Sequence, residues 1–341
     1  AALFSDLLRS SMLRLENVVC LVTGASRGIG RGIALGLGAE GAIVYITGRT
    51  LKPKGDEIGG SLEETAAEIN SRGGKAIPVV VDHSDEKQVT ELFSRIRREQ
   101  RGRLDVLVNN AYSAVSFLKQ SSGKAYYEVD AYSPGEAWDE VNNVGLRNHY
   151  ICSTLATKMM IDYKKQEPSA RPGLIINISS FGACRYLFNV AYGCGKAALD
   201  RLTHDMDIEL KRNKVDICVI SLWPGLVRTE EMMNVAENST EEFVAAFRDP
   251  SLSESTELCG LAVAAIACEN PSVLMARSAN VVLMSDVVAQ YALRVPGEPA
   301  PPNYRSLKVL LRLSGYRLAW LVPGFIRIPK FLFSWFLGFA G

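Results

Sequence analysis

The chain has 341 residues, 48% of them hydrophobic, with 38 Lys plus Arg against 37 Asp plus Glu and a net charge of +1. That length holds one large α/β domain or two smaller ones, and the ordinary composition excludes a disordered or collagen-like chain. Balanced charge argues against nucleic acid as a partner, because no basic excess is left to neutralise phosphates.

From Asn17 short apolar runs alternate with longer amphipathic stretches. The first run, VVCLVTG (18–24), leads into Thr23-Gly24-Ala25-Ser26-Arg27-Gly28-Ile29-Gly30, after which Ile29, Ile33 and Leu37 recur at helical spacing. Glycines there let the chain turn tightly and let backbone N–H groups approach a pyrophosphate at the positive end of the helix. Three glycines alone are equally a structural turn; their place between the first strand and the first helix points to a dinucleotide. The second run, AIVYITG (42–48), ends at Arg49, and no Asp or Glu occurs from Gly41 through Gly55. An acid there would grip the ribose 2′-OH of NAD, whereas an arginine accommodates the 2′-phosphate of NADP. Arg27 offers a second side to a phosphate clamp, since guanidinium suits bidentate phosphate recognition. NADPH/NADP+ is therefore expected over NAD(H).

Residues 50–61 read as a loop. The third run, AIPVVVD (76–82), closes on Asp82, and the fourth, LDVLVNN (104–110), contains Asn109. A 26-residue passage, 112–137, then reads as a long loop at the carboxyl end of a strand, where ligands bind. Three further runs follow: GLIINIS (173–179), VDICVISLWPG (215–225) and ANVVLMS (279–285). Near-continuous apolar strands separated by helices mark a parallel sheet covered on both faces. The expected architecture is α/β, a single Rossmann-type doubly wound parallel sheet of about seven strands over residues 15–295. A proline-rich hinge, PGEPAPPN (296–303), opens an apolar and basic extension that runs to 341.

Seven cysteines without a CxxC pair support neither a disulfide framework nor a zinc site, and three scattered histidines suggest no metal. No charge-free run reaches the 18 or so residues of a membrane-spanning helix, and the start AALFSDLLRSSMLRL lacks a signal-peptide core with a cleavage site. Residues 1–11, ahead of Met12, read as a leader or remnant outside the fold.

After the fifth run come Ser179-Ser180 and then Tyr192-Gly193-Cys194-Gly195-Lys196, which opens an amphipathic helix. Tyr192 and Lys196, four apart, share a helix face. A nearby ammonium favours phenolate and would lower the tyrosine pKa from about 10 towards working pH, as proton transfer to a carbonyl oxygen requires. By itself Tyr-x-x-x-Lys is common and usually a surface pair. Cys194, between them, reads as a small helix residue, and His149 and His204 as helix-face residues.

Together TGASRGIG, Asp82, Asn109-Asn110-Ala111, Ser179-Ser180, YGCGK and Pro224-Gly225-Leu226-Val227-Arg228-Thr229 resemble, in order and interval, the short-chain dehydrogenase/reductase family over roughly residues 15–290. The resemblance implies that Tyr192 protonates the substrate oxygen, that Lys196 lowers its pKa and binds the nicotinamide ribose, and that a serine polarises the carbonyl. The family's usual 13-residue spacing to tyrosine selects Ser179; aligning the strand end selects Ser180. Ser180 is preferred because a deletion is easier in the loop than in a buried strand, where it would flip the side-chain face; Ser179 stays open. The resemblance also implies a cofactor held by Gly24, Ser26, Arg27, Gly28, Ile29, Gly30 and Arg49, with Asp82 near the adenine and Asn109 against the adenosine ribose. Pro224 would turn the chain beneath the nicotinamide, and Val227 and Thr229 would meet its carboxamide. Two departures stand out: Tyr112 replaces the family's glycine in NNAG, and Gly145 falls where the family has a helix asparagine supporting a relay water, for which Asn142 or Asn143 could substitute only if the helix shifts.

The resemblance implies a small apolar ketone or aldehyde as substrate, steroids and xenobiotics included, and the cytosolic face of the endoplasmic reticulum membrane, with a cytoplasmic protein as the alternative. A second copy of the chain is a further candidate partner. Residues 316–341 combine aromatic and basic residues without an acid, broken by Pro323 and Pro329, which suits a segment lying in a membrane interface. The competing reading is a tail packed on the domain or on a dimer partner. After Glu298 six basic residues and no acid occur, so the tail carries +6 and the remainder −5. The competing function is a membrane-associated NADPH-binding protein with vestigial catalysis.

Overall fold

A computed structural model describes residues 14–53, 59–121, 123–237, 242–314, 316–329 and 332. Seven of the apolar runs form strands: β1 Val19–Val22, β2 Ile43–Gly48, β3 Lys75–Val80, β4 Val106–Asn109, β5 Gly173–Ile178, β6 Ile217–Trp223 and β7 Val281–Leu283. They make one sheet in the order β3-β2-β1-β4-β5-β6-β7, parallel throughout. Strands β1, β4, β5 and β6 are buried along their whole length, as strands covered on both faces must be. The strand containing Pro78 is at an edge, where a missing N–H costs no ladder bond.

The period of two along β1 sorts its side chains into two cores. Cys20 and Val22 join one with Ile33 and Leu37 of helix α1 (Gly28–Ala39), whereas Val19 and Leu21 join the other with Leu92 and Phe93. Among the helices that follow are α2 (Leu62–Ser71), α3 (Glu86–Glu99), α4 (Val115–Gln120), α5 (Pro134–Asn142), α6 (Asn148–Gln166), α7 (Val190–Arg212), α8 (Glu230–Glu237) and α9 (Thr256–Ala267). α1 and α9 touch backbone to backbone: a Cβ at Gly36 would lie 2.3 Å from the Gly260 carbonyl oxygen. The connections reverse direction between β1 and β4, so a crevice opens at the carboxyl ends of these strands.

The passage 112–137 differs from the expected loop, for it holds α4 and the start of α5. Ser133 and Glu136 form a capping box with Pro134 in the first turn, a local helix start that outweighs the irregular composition before it. Phe117 of α4 packs edge-on against Tyr132 at 5.1 Å, and this cluster continues to Val141 and Tyr192.

The proline-rich hinge leads back onto the body. The Tyr304 hydroxyl accepts from the Leu226 N–H and donates to the Leu252 carbonyl, each at 2.9 Å, and Arg305 pairs with Asp286 at 2.7 Å. A short helix, α10 (Leu307–Leu313), and a 3-10 turn (Arg317–Leu321) follow. Among the described residues no helix is long and apolar enough to cross a membrane. The rest of the aromatic tail, residues 330–331 and 333–341, lies outside the described residues.

Candidate active site

The site is assembled at the strand ends. Thr23, just beyond β1, accepts through its hydroxyl from the Asn110 and Ala111 N–H groups at 2.9 and 3.0 Å, tying the glycine loop to the end of β4. Gly24 and Gly28 have φ of +68° and +59°, and a Cβ at Gly24 would come 2.8 Å from the Ala111 Cα. Gly28 is the first residue of α1, and its N–H donates to the Glu230 carboxylate at 3.0 Å. Arg27 pairs with Glu231 at 3.0 Å, and Lys119 meets the other oxygen of the same carboxylate at 2.5 Å. Two carboxylates of α8 therefore already sit on the helix N-terminus and the arginine expected to receive phosphate. This stand-in anion shows that the loop has the donors and charge a pyrophosphate needs, so the chain's residues fit a dinucleotide.

All the site residues named from the sequence except Asn109 line one cavity of about 1850 Å³. Arg49 is exposed at its edge. Burial pushes the nearby Asp82 carboxyl up, but two hydrogen bonds from Ser84 and the charges of Arg49 and His83 outweigh it and hold the group below the usual carboxylate value. Val227 is buried where its backbone bridges to Glu254, and the Thr229 hydroxyl accepts from the Met232 N–H as α8 begins. Asn109 is fully buried behind the cavity, its amide donating to Asn177 and Ser153 at 2.8 and 2.9 Å. As the last residue of β4 it faces α6, and the next residue, Asn110, has the cavity edge instead. Asn109, expected against the adenosine ribose, is thus the one named site residue that does not line the cavity.

At the reacting centre the Asn189 side chain caps α7 by accepting from the Tyr192 N–H at 2.9 Å, which fixes Tyr192 in the first turn. The Tyr192 hydroxyl donates to Ser180 Oγ at 2.8 Å. Ser179 is turned away: its hydroxyl lies 3.4 Å from the Lys196 carbonyl and bonds the buried Asp200. Lys196 is buried, donates from Nζ to the Ile178 carbonyl at 2.9 Å, and lies 5.9 Å from the Tyr192 ring centroid. Burial lowers its pKa to about 8, with Asp200 acting the other way.

The expected lowering of the tyrosine pKa is reversed. Burial pushes Tyr192 up to about 12, and the Ser180 hydrogen bond only partly offsets it. The ammonium faces the ring and spends a proton on Ile178 rather than meeting the phenol oxygen. Tyr192 therefore holds its proton at neutral pH, the form that a proton donor needs.

Gly145 lies in a π-helical turn, Asn143–Arg147, so the helix does shift register here. Asn142 nevertheless serves α7, donating to the Ala191 carbonyl at 3.3 Å beside Gly195. His149 is buried with Nε2 3.1 Å from the Ala111 carbonyl; burial lowers its pKa to about 3, and Lys196 adds to the shift, so it is a neutral link between α6 and the Asn110-Ala111 turn. His204 and Cys194 are exposed.

Four residues at the site escaped the sequence reading. Glu230 and Glu231 reach the loop across some 200 positions, a contact with no local signature. Glu254 accepts from the Gly225 N–H at 2.9 Å, and Tyr304 presses against Gly225 so closely that a Cβ there would lie 1.8 Å from the ring. The proline run before Tyr304 reads as a hinge and carries no sign that the chain returns to the body there.

A glycine loop at the switch point of a parallel sheet, with a hydrogen-bonded serine and tyrosine beside a buried lysine, defines an oxidoreductase site of dinucleotide type. Residues 18–240 match the short chain dehydrogenase family model, and the chain belongs to that family. It is 44% identical over 324 residues to human dehydrogenase/reductase SDR family member 1, covering 93% of this chain and 96% of that protein. Among solved structures it resembles a metagenomic short-chain oxidoreductase in complex with NADP, at 27% identity and a TM-score of 0.58 over 79% of this chain and 97% of that one. The fold is also that of the Brucella melitensis 3-oxoacyl-[acyl-carrier protein] reductase in complex with NAD, at 23% identity and a TM-score of 0.63 over 79% and 96% of the two chains.

Proposed function

We propose that the protein is an NADPH-dependent carbonyl reductase acting on apolar ketones or aldehydes, steroids and xenobiotics among them. The observation that carries this reading is the 2.8 Å bond between the Tyr192 and Ser180 hydroxyls beside buried Lys196, inside the cavity that the glycine loop opens onto. Gly28, Arg27 and Arg49 are the residues that would hold the phosphates, and Lys196, Val227 and Thr229 the nicotinamide end. A reduced nicotinamide bound there supplies the hydride. Tyr192 gives its proton to the carbonyl oxygen, and the Ser180 hydroxyl orients that oxygen by a second hydrogen bond. Lys196 supplies positive charge behind the tyrosine as negative charge develops on the oxygen. The solved relative bound to NADP supports the choice of cofactor, as do Arg27, Arg49 and the missing acid after β2.

The test is NADPH oxidation over a panel of ketones and aldehydes. Tyr192→Phe should cut kcat by at least a hundredfold, within the usual share of a general acid. Undiminished turnover in that variant would sink the mechanism, whereas cofactor binding without turnover on any substrate would favour the binding-protein reading.

The basic, aromatic tail supports attachment to the cytosolic face of the endoplasmic reticulum membrane. Tyr316, Leu318, Trp320, Leu321 and Phe325 are all more than half exposed, an apolar patch that a membrane interface would cover.

A further inference from the structure

We propose that Tyr112 is a positioning residue: the face of its ring holds the Lys196 ammonium behind Tyr192, and Gly145 lacks a side chain in order to seat that ring. The inference rests on the reading of Tyr192 and Lys196 as the proton-transfer pair.

Lys196 Nζ lies 5.3 Å from the Tyr112 ring centroid and 5.9 Å from that of Tyr192, so two phenol rings flank one buried ammonium. The rings themselves meet edge to face, with centroids 6.1 Å apart and planes at 80°. A cation within about 6 Å of an aromatic centroid is attracted by the ring quadrupole, most strongly where water is excluded. The hydrogen bonds of Lys196 leave room for this, because the Ile178 carbonyl takes only one of its three N–H donors. The Tyr112 hydroxyl is buried and has no hydrogen-bond partner, so the ring, and not the oxygen, is the part in use. Burial pushes that hydroxyl far above its ordinary pKa, which keeps the ring neutral.

Gly145 explains how the ring fits. A Cβ at Gly145 would stand 2.8 and 2.9 Å from Tyr112 Cδ2 and Cε2, nearer than real Cβ atoms approach. The π turn at Asn143–Arg147 brings bare backbone against the ring edge, where any larger residue would push the ring off the ammonium. Positions 112 and 145 are therefore one device made of a large residue and a missing one.

The test uses the full chain labelled with 13C at the lysine ε-carbon, with Lys196→Arg identifying the Lys196 signal. The ε-methylene of Lys196 should appear upfield of ordinary lysines because of ring currents, before any cofactor or substrate is added. Tyr112→Phe should keep that shift and hold kcat within about twofold. Tyr112→Met fills a similar volume without a π face; it should lose most of the shift and at least tenfold in kcat, rising to about thirtyfold for a fully desolvated cation–π contact, with KM for NADPH moving less than threefold. Gly145→Ala should do the same, although alanine is the better helix former and the fold should not suffer. Retention of the shift and of kcat in Tyr112→Met would overturn the proposal, and so would a Tyr112→Phe variant as impaired as Tyr112→Met. Should wild-type turnover be absent from every substrate, the Lys196 shift still decides the ring contact while the catalytic reading fails separately.

Discussion

Glu254 is 1% exposed, yet one of its oxygens accepts from the Gly225 N–H while Oε1 has no partner. Burial pushes its pKa up to about 7, against the Gly225 hydrogen bond and the Arg228 charge. A carboxyl with a raised folded-state pKa favours folding fully below its unfolded value near 4.5, and that contribution is lost as pH rises through about 7. Glu254→Gln keeps an acceptor for Gly225 and removes the titration. Its stability relative to wild type should therefore rise between pH 5 and 8 by an amount on the order of 2–3 kcal/mol, read from urea unfolding at each pH. A difference that stays flat across this range would show that Glu254 does not titrate there. Arg49 sets a second expectation at this scale. Exposed at the cavity edge, it should contribute a charge-assisted bond of about 1.5 kcal/mol or more to a 2′-phosphate, so Arg49→Asp should weaken NADPH at least tenfold more than NADH in fluorescence titrations. Equal losses would remove the phosphate role. Single residues were legible where chemistry demands a type at a spacing, as at Tyr192 and Lys196. NNA does not say which amide faces the cavity; strand alternation and the neighbouring Asn177 hold the Asn109 side chain away from it.

Helix α8 presents the main conflict between elements. Its first two residues put Glu230 on the Gly28 N–H and Glu231 on Arg27 and Lys119. These are the donors a pyrophosphate would use, so carboxylate and phosphate compete for the same helix terminus. Removing the charge should relieve that competition by roughly 0.3–2 kcal/mol, the range of helix-terminus charge effects. Glu230→Gln is accordingly expected to tighten NADPH about two- to thirtyfold in direct titration. Weaker binding would instead make Glu230 a brace that shapes the loop for its ligand. At this scale the sequence carried the strands well, because a buried parallel strand is a run of apolar residues whatever its partners. It carried α4 and α5 poorly, since a six-residue helix and a nine-residue one leave little periodicity, and only the Ser133 and Glu136 capping box betrayed the second.

The net charge of +1 conceals a body at −5 and a tail at +6. Part of that opposition is spent internally: Arg305 meets Asp286 and Arg312 meets Asp249, each at 2.7 Å, which fastens the start of the tail to the catalytic body. Beyond them the chain exposes Trp320 at 67% and Phe325 at 80%, two aromatics that are mostly open to solvent. Replacing both with serine should leave folding and NADPH turnover unchanged, because neither reaches the cavity. Co-sedimentation with anionic phospholipid vesicles should fall at least fivefold, consistent with losing about 1–3 kcal/mol from two aromatics that no longer enter the interface. Salt separates the two forces: 0.5 M NaCl shortens the screening length to about 4 Å and should weaken the basic part in wild type while sparing the aromatic part. If the patch instead covers a second copy of the chain, the double variant would change its sedimentation coefficient in the absence of lipid and leave vesicle binding where it was.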